Sequence, residues 1–169
     1  MKAVIIVATS RDNGNTVKCA NALALSFPAD IINLSHYQFS YYDYQNKNKD
    51  DDFLKLAEQI CQYDLIIYAS PIYWYAMSAQ MKVFFDRLTD LVTIEKLLGR
   101  ALKNKRNALI STGAEKVAPS CFVEPFALTA DYFDMRFIGN YYLPVIQQEI
   151  SEQHFEQYIV ETTQALKQY

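Results

Sequence analysis

The sequence predicts an α/β fold in which five parallel strands form one open sheet with helices on both faces. Two observations indicate it. Continuous apolar, β-branched runs such as residues 3–8 and 65–69 are typical of strands buried on both faces. Segments with apolar residues three and four positions apart lie between the runs, and this is the spacing of a helix face. With 169 residues, 51% of them hydrophobic, the chain is predicted to be one domain, residues 1–169.

The first part of the chain predicts a strand, a helix and a second strand. Residues 3–8 form the first strand, residues 17–27 a helix that ends at Pro28, and residues 31–34 the second strand. A polar, tyrosine-rich stretch follows. Its acidic end precedes a helix expected at 53–62, where aspartates would complement the helix dipole.

The second part of the chain continues the alternation. Strands are predicted at 65–69, 108–110 and 137–141, and helices at 78–91, 122–133 and 151–169; loops or short helices are expected at 92–105 and 144–150. Right-handed crossovers turn this pattern into a doubly wound sheet. We expect the flavodoxin-like strand order 2-1-3-4-5, because the first and third strands show the strongest two-sided burial and precede the most unusual loops.

Charge and cysteine content exclude several classes of function. A net charge of −3 and a pI of 5.4 provide no basic field for nucleic acid. The apolar run at the start of the chain is too short for a signal peptide or a membrane span, so we expect a cytoplasmic protein. The cysteines, Cys19, Cys61 and Cys121, are too widely spaced to indicate disulfides or a metal site, and we expect buried thiols.

The loop after the first strand, residues 9–16, has the composition of a phosphate cradle. A phosphate monoester needs several donors that converge at one point, and a helix N-terminus adds a favourable dipole. The candidate donors are Ser10, Asn13, Gly14, Asn15 and Thr16. An ordinary strand-to-helix turn has a similar composition. The loop lacks G-x-G-x-x-G and Gly-Lys-Ser/Thr, which disfavours a dinucleotide or a nucleoside triphosphate and leaves a mononucleotide.

Two further loops are expected at the same edge of the sheet. Residues 70–77 contain the adjacent aromatics Tyr73, Trp74 and Tyr75, whose rings cannot all face the core. A planar isoalloxazine would stack on such rings, although core or dimer-interface positions would also explain them. Residues 111–115 follow the fourth strand and would present backbone N–H groups to a ring edge, or form a plain turn.

Residues 70–87 closely resemble the signature of the NADPH-dependent FMN reductase family. The matching residues are Ser70-Pro71-Ile72-Tyr73-Trp74, Ser78-Ala79-Gln80-Met81-Lys82 and Phe85-Asp86-Arg87, and Ser10, Arg11 and Gly14-Asn15-Thr16 match the phosphate loop of that family. The resemblance spans most of the chain. It implies an enzyme that passes electrons from NAD(P)H through FMN to a small acceptor such as a quinone, a flavin, an azo compound or a nitro compound.

The resemblance also assigns residues to the cofactor. The FMN phosphate would be held by Ser10, Arg11, Asn13, Asn15 and Thr16, and the flavin ring by Pro71, Ile72, Tyr73, Trp74, Ser111, Thr112 and Gly113. Lys82, Asp86 and Arg87 are better interpreted as polar residues that anchor the helix and support a dimer than as catalysts. No catalytic side chain is identified, because hydride transfer is the chemistry of the flavin and the protein supplies position, water exclusion and hydrogen-bond donors.

One feature departs from a related branch, the iron-sulfur flavoproteins, which the sequence also resembles. Members of that branch carry cysteines in the loop after the second strand. Here residues 40–45 contain tyrosines and no cysteine, so no cluster can form there. The tyrosines would cover a flavin across a dimer or pack on one another.

Other functions and the assembly state stay open at this stage. A flavodoxin-type electron carrier would fit the fold, although −3 is a weak charge for an acidic docking face. A non-enzymatic module that has lost the flavin would fit it too. Six aromatic residues near one sheet edge predict a homodimer with the active site completed across the interface: Tyr41, Tyr42, Tyr44, Tyr73, Trp74 and Tyr75.

Overall fold

The computed structural model describes residues 1–145 and 150–169, and within them the predicted sheet is confirmed. Five parallel strands lie in the order β2-β1-β3-β4-β5. The strands are β1 (Ala3–Val7), β2 (Ala29–Asn33), β3 (Leu65–Pro71), β4 (Arg106–Gly113) and β5 (Arg136–Pro144). The order reverses between β1 and β3, so the loops after these strands border the position where such sheets bind ligands.

Helices connect the strands throughout the described part of the chain. They are α1 (Asn15–Ser26), α2 (Asp52–Ile60), α3 (Ala79–Arg87), α4 (Asp90–Thr93), α5 (Lys96–Ala101), α6 (Ser120–Tyr132) and α7 (Glu152–Leu166). A short 3₁₀ turn, Leu34–His36, follows β2. None of the described helices is long and apolar enough to cross a membrane.

The core consists of two apolar layers, one on each face of the sheet. Alternate side chains of β1 show the division. Ile5 belongs to the layer that contains Leu23 of α1 and Leu166 of α7. Ile6 belongs to the layer that contains Phe53 of α2, together with residues of α3 and α6. Burial on both faces explains the continuous apolar runs of the central strands.

Several element bounds differ from the sequence-based expectation. The helix expected at 78–91 ends at Arg87, and α4 begins at Asp90. The segment 96–101, left as loop or short helix, is α5. The expectation for 144–150 falls partly on residues 146–149, which lie outside the described residues.

The two strands nearest the expected ligand position are longer than predicted. β3 continues through Ser70 and Pro71, and β4 continues through Ser111, Thr112 and Gly113, so these residues are paired strand residues rather than loop residues. Both strands lie in the middle of the sheet and have a partner on each side, which extends their pairing past the apolar run.

The cysteines do not all behave as expected. Cys19 is fully buried, and burial raises the pKa of its thiol to about 12. Cys61 is partly buried, and burial raises its pKa as well. The expectation of a buried thiol is wrong for Cys121, which is exposed. It lies in the first turn of α6, whose inward face carries Phe122 and Phe126, so position 121 points outward.

Candidate functional site

The three loops predicted to hold a ligand meet at one cavity of about 480 Å³. This volume lies within the roughly 300–1,000 Å³ that is typical of small-molecule sites. Its lining includes Thr9, Arg11, Asn13, Gly14, Asn15, Thr16, Lys18, Pro71, Ile72, Tyr73, Thr112, Gly113, Ala114 and Val145. The cavity lies beyond the carboxyl ends of β1, β3 and β4, where the strand order predicts a ligand.

Three of the predicted site residues do not line this cavity: Ser10, Trp74 and Ser111. The side chain of Ser10 is exposed. Ser111 is fully buried, and its hydroxyl donates to Oδ1 of Asn140 at 2.7 Å. It therefore braces β4 against β5 instead of facing the cavity.

One end of the cavity carries the features that an anion requires. The N-cap of α1 is Gly14, which has no side chain to accept the N–H groups of the first helical turn, whereas Ser78 and Ser151 cap α3 and α7 in this way. Such N–H groups, together with the helix dipole, favour a bound phosphate. The side chains of Arg11 and Lys18 line the same cavity and add positive charge.

Lys18 was not identified as a site residue from the sequence. A usable signal was present, because Lys18 follows Gly14 by four residues and its N–H donates to the Gly14 carbonyl at 3.0 Å. Residues four apart in a helix share a face, so a cation at this position returns to the first turn. The role expected of Gly14 also differs, since its own N–H is directed to the Arg11 carbonyl at 3.4 Å and its φ of −71° is ordinary.

A pair of buried threonines joins the first loop to β4. The Oγ1 atoms of Thr16 and Thr112 lie 2.7 Å apart, which is a hydrogen bond, and the two residues are 2% and 5% exposed. The Thr112 carbonyl accepts the N–H of Ile72 at 2.8 Å. Thr112 therefore contacts both neighbouring loops of the cavity.

Two buried serines hold the segment after β3 against β1. The Ser78 hydroxyl donates to the Ala8 carbonyl at 2.8 Å, and the Ser78 N–H donates to Oγ of Ser70 at 3.0 Å. Both serines are at most 2% exposed. These contacts explain physically why the 70–87 signature begins with Ser70 and has Ser78 at the start of α3.

Gly113 is closely packed against two side chains. A Cβ atom at this position would lie 3.2 Å from Cβ of Ile72 and 3.1 Å from Oη of Tyr142. Tyr142 is held in turn, because its hydroxyl donates to the Glu115 carbonyl at 2.6 Å. A side chain at position 113 would therefore require Ile72 or Tyr142 to shift by a few tenths of an ångström.

The aromatic segment after β3 forms a tight two-residue turn. Tyr73 and Ala76 exchange two backbone hydrogen bonds, of 2.9 and 3.0 Å. The residues between them, Trp74 and Tyr75, have φ values of 48° and 65°, the left-handed region used by type I′ turns. Trp74 is 93% exposed and Tyr75 is 56% exposed, so core packing does not explain these rings. Only Tyr73 of the three lines the cavity.

The tyrosine-rich segment, residues 37–48, lies against α3. Tyr41 and Tyr44 are 78% and 89% exposed, and the rings of Tyr42 and Tyr44 meet edge to face at 5.0 Å between centroids. Some of these tyrosines thus pack on one another. A second cavity of about 530 Å³ lies between this segment, the 3₁₀ turn and α3.

Arg87, at the end of α3, anchors the tyrosine-rich segment. Its side chain is fully buried and contacts the carboxylates of Asp51 and Asp90 and the carbonyl of Ser40, with Nη1–O of 3.1 Å. Burial of the Asp51 carboxyl opposes ionisation, but the hydrogen bonds from Arg87 and from two backbone N–H groups outweigh it and hold the Asp51 pKa below its usual value. Lys82 and Asp86 form an exposed ion pair on the same helix. The contacts of Arg87 support its interpretation as a helix anchor. For Lys82 and Asp86, which pair with each other within α3, that role stays a prediction.

Comparison with known proteins completes the description of the site. The model of the NADPH-dependent FMN reductase family matches residues 1–149. The chain belongs to this family. YwqN of Bacillus subtilis (strain 168), which is named as an NAD(P)H-dependent FMN-containing oxidoreductase, is 32% identical over 149 residues, which cover 82% of each chain.

Solved structures share the fold of this reductase. The Trp repressor binding protein from Bacillus subtilis has a TM-score of 0.75 at 22% identity, with 100% of this chain and 99% of that chain covered. An NADPH-quinone reductase from P. pentosaceus has a TM-score of 0.70 at 16% identity, with 97% and 96% covered. At these identities the likeness concerns the fold.

The residues at the cavity fit the cofactor of the family. FMN has a phosphate dianion at one end and a flat, partly apolar ring at the other. The cavity offers the uncapped α1 N-terminus and two cations from the segment after β1, and Pro71, Ile72 and Tyr73 from the segment after β3. As a family member, the protein is an FMN-dependent enzyme that uses NAD(P)H. Within the described residues there is no cluster of His, Cys, Asp and Glu that would hold a metal ion.

Proposed function

We propose that the protein binds FMN in the cavity between α1, β3 and β4 and passes electrons from NAD(P)H to a small acceptor. The observation that carries the proposal is the composition of the cavity lining, in which the segment after β1 supplies cations and an uncapped helix N-terminus and the segment after β3 supplies an aliphatic and aromatic wall. A mononucleotide with a flat ring matches both ends.

In this proposal each part of the cavity has a task. The phosphate is held by Arg11, Asn13, Asn15, Thr16 and the first-turn N–H groups of α1, with Lys18 as a further cation. Pro71, Ile72, Tyr73, Thr112 and Gly113 border the ring. Ser10, Trp74 and Ser111 are assigned no contact with FMN within one subunit, since they do not line the cavity.

The chemistry of hydride acceptance is supplied by FMN when it is bound. The chain contributes position and surroundings. Ile72 and Tyr73 shield part of the ring from water, and the cationic end compensates charge on the phosphate. We assign no side chain as a proton donor or acceptor in the reaction.

The cofactor proposal is tested by comparing two flavins. Apo-protein should bind FMN one to one and much more tightly than riboflavin, because riboflavin lacks the phosphate. Titration followed by flavin fluorescence measures both dissociation constants. Equal affinity for the two flavins would contradict the phosphate assignment.

Reduction kinetics separate an enzyme from its alternatives. Stopped-flow mixing of the FMN-loaded protein with NADPH or NADH should bleach the flavin absorbance rapidly. Absence of reduction by either nucleotide would favour an electron carrier. Absence of flavin binding would favour a non-enzymatic module.

We propose a quinone as the first acceptor to test, since a structural neighbour bears the name NADPH-quinone reductase. Flavins, azo compounds and nitroaromatics are the other candidates for an open ring face. A screen at fixed NADPH concentration, with turnover per bound FMN as the readout, ranks them. We place the reaction in the cytoplasm, where NAD(P)H is generated.

We also propose that the enzyme works as a homodimer. The supporting observation is the set of exposed rings, since Tyr41, Tyr44, Trp74 and Tyr75 are each more than half exposed. Exposed aromatic patches favour association. Sedimentation should show a dimer at micromolar concentration, and Trp74→Ala should weaken both assembly and turnover. A monomer that turns over at the full rate would contradict this assignment.

A further inference from the structure

We infer that Thr112, a residue of β4 outside the phosphate loop, is a positioning residue that orients the Thr16 hydroxyl as a donor to the FMN phosphate. The inference rests on the proposed function and deepens it. It assigns part of the preference for a phosphorylated flavin to a side chain that need not touch the phosphate.

The geometry of the pair limits what each hydroxyl can do. The Oγ1–Oγ1 distance of 2.7 Å is that of a good O–H···O hydrogen bond. A threonine hydroxyl carries one hydrogen and can accept from others. Within the pair, therefore, one threonine donates to the other, and the accepting threonine keeps its own hydrogen for a second partner.

A bound phosphate determines which of the two threonine hydroxyls donates to the other. Its oxygens at neutral pH act mainly as acceptors, so they favour the arrangement in which Thr16 points its hydrogen towards them. Thr112 must then donate to Thr16. Hydrogen bonds arranged in a chain polarise one another, and this strengthens the final bond to the anion. The order of donation is Thr112 to Thr16 to phosphate.

Thr112 is well placed to fix the direction of the hydrogen bond to Thr16, because it is held by the sheet. It pairs with Pro71 of β3 and Leu143 of β5, and its carbonyl accepts the Ile72 N–H at 2.8 Å. Both threonine side chains are almost completely buried, so water does not compete freely for the shared hydrogen bond. Thr112 of β4 therefore orients the Thr16 hydroxyl from the side of the cavity that borders the ring.

Four variants test this inference: Thr112→Val, Thr112→Ser, Thr16→Val and the double variant Thr16→Val/Thr112→Val. Valine keeps the shape of threonine and removes the hydroxyl, whereas serine keeps the hydroxyl. The dissociation constants of FMN and of riboflavin are measured for each apo-protein by fluorescence titration, and circular dichroism with thermal unfolding checks the fold.

We expect Thr112→Val to weaken FMN binding about three- to tenfold, the range for one neutral hydrogen bond. Riboflavin binding should weaken less than FMN binding, because valine keeps the shape of the surface that borders the ring and the lost hydrogen bond acts on the phosphate. Thr112→Ser should restore FMN affinity to within about twofold of wild type. In the double variant, loss of Thr112 should add nothing to the effect of Thr16→Val, since neighbours in one network are not additive.

Several results would overturn the inference. Unchanged FMN affinity in Thr112→Val, an equal loss for both flavins, or additive effects in the double variant would each assign Thr112 to packing or to the ring instead. If Thr112→Val unfolds, Thr112→Ser decides alone, because a weakened FMN preference in a variant that keeps the hydroxyl contradicts the proposed role. Equal affinity of the wild-type protein for both flavins would overturn the proposed phosphate site as well. If wild type prefers FMN and only the results for the Thr112 variants disagree, the role of Thr112 alone is overturned.

Discussion

The guanidinium of Arg87 and the carboxylate of Asp51 form a two-point ion pair, with Nη1–Oδ2 of 2.6 Å and Nη2–Oδ1 of 3.1 Å. Asp51 is also the N-cap of α2, where its side chain accepts the Phe53 N–H at 3.0 Å. The same carboxylate accepts the N–H of Ser40 at 3.1 Å. One side chain thus joins the end of α3, the start of α2 and the tyrosine-rich segment.

Replacing Arg87 with Met should destabilise the protein by about 3–5 kcal/mol, because it leaves the carboxylates of Asp51 and Asp90 without their buried partner. Urea unfolding measures the change. The matched control is Lys82→Met on the same helix, which removes an exposed ion pair and should cost at most about 1 kcal/mol. Equal losses in the two variants would show that burial of the pair is not what matters.

The contribution of Asp51 should depend on pH in a defined direction. Its pKa is lowered in the folded protein, so its stabilising effect is fully present above the unfolded value of about 3.9 and is lost as the pH falls through the lower folded value. We expect the difference in unfolding free energy between wild type and Asp51→Asn to be constant above about pH 5 and to shrink below about pH 4. Other carboxylates with lowered pKa values, Asp43 and Asp64, cancel in this difference. A difference that grows on acidification would contradict the assignment.

Substitutions that suit the left-handed turn at Trp74 and Tyr75 should stabilise the folded protein. Asn-Gly is the preferred pair for a turn of this conformation, whereas bulky residues are strained there. Trp74→Asn/Tyr75→Gly should raise the free energy of unfolding by about 1 kcal/mol, or the Tm by about 2–4 °C, in dilute solution where assembly does not contribute. Trp74→Ala/Tyr75→Ala removes the same rings but keeps both Cβ atoms, so it should gain little. Equal stability of the two double variants would argue against strain.

A thiol reagent at pH 8 should modify Cys121 first. Cys121 is exposed, and its Sγ lies 3.6 Å from the Tyr75 carbonyl oxygen, whereas Cys19 is fully buried with a pKa raised to about 12. Ellman's reagent should show one fast thiol in the native protein. Cys121→Ser should remove this phase, and Cys61→Ser should leave it intact. A fast phase that survives in Cys121→Ser would mean that another cysteine becomes accessible.

Replacing Thr16 with Ala should weaken FMN binding roughly ten- to a hundredfold, equivalent to about 1.5–3 kcal/mol for a hydrogen bond to a charged group. The dissociation constant from fluorescence titration is the measurement. Thr93→Ala, which removes an exposed hydroxyl bonded within α4, is the control and should leave the affinity unchanged. An unaltered constant for Thr16→Ala would place the phosphate elsewhere.

The sequence predicted the sheet well because its central strands are buried on both faces. Continuous apolar runs such as residues 65–69 predict a buried strand and fit few other elements. Because the strands are parallel, the loops that follow them meet at one edge of the sheet. The limits appeared where side-chain direction decides the outcome. Because β4 continues to Gly113, its side chains alternate: Ile110 faces the layer of α1, so Thr112 reaches Thr16, and Ser111 points to the opposite face. That alternation could be read only once the length of the strand was known.

Other details depended on contacts that no local pattern encodes. The turn at Trp74 and Tyr75 has neither glycine nor asparagine, so its left-handed backbone gave no sequence signal. One partner of Arg87, Asp51, lies 36 residues away in the sequence, beyond any helical spacing. The resemblance marked Arg87 as part of a signature, but the reason for its presence became visible only with the fold.

The turn between Tyr73 and Ala76 is closed entirely by backbone hydrogen bonds, so the identities of the two residues at its tip do not decide whether it forms. Trp74 and Tyr75 can therefore carry a contact between subunits without a part in holding the register of β3 or the position of Ser78. Substitutions at these two positions should change how the subunits associate and leave the cavity lining within each subunit as it is.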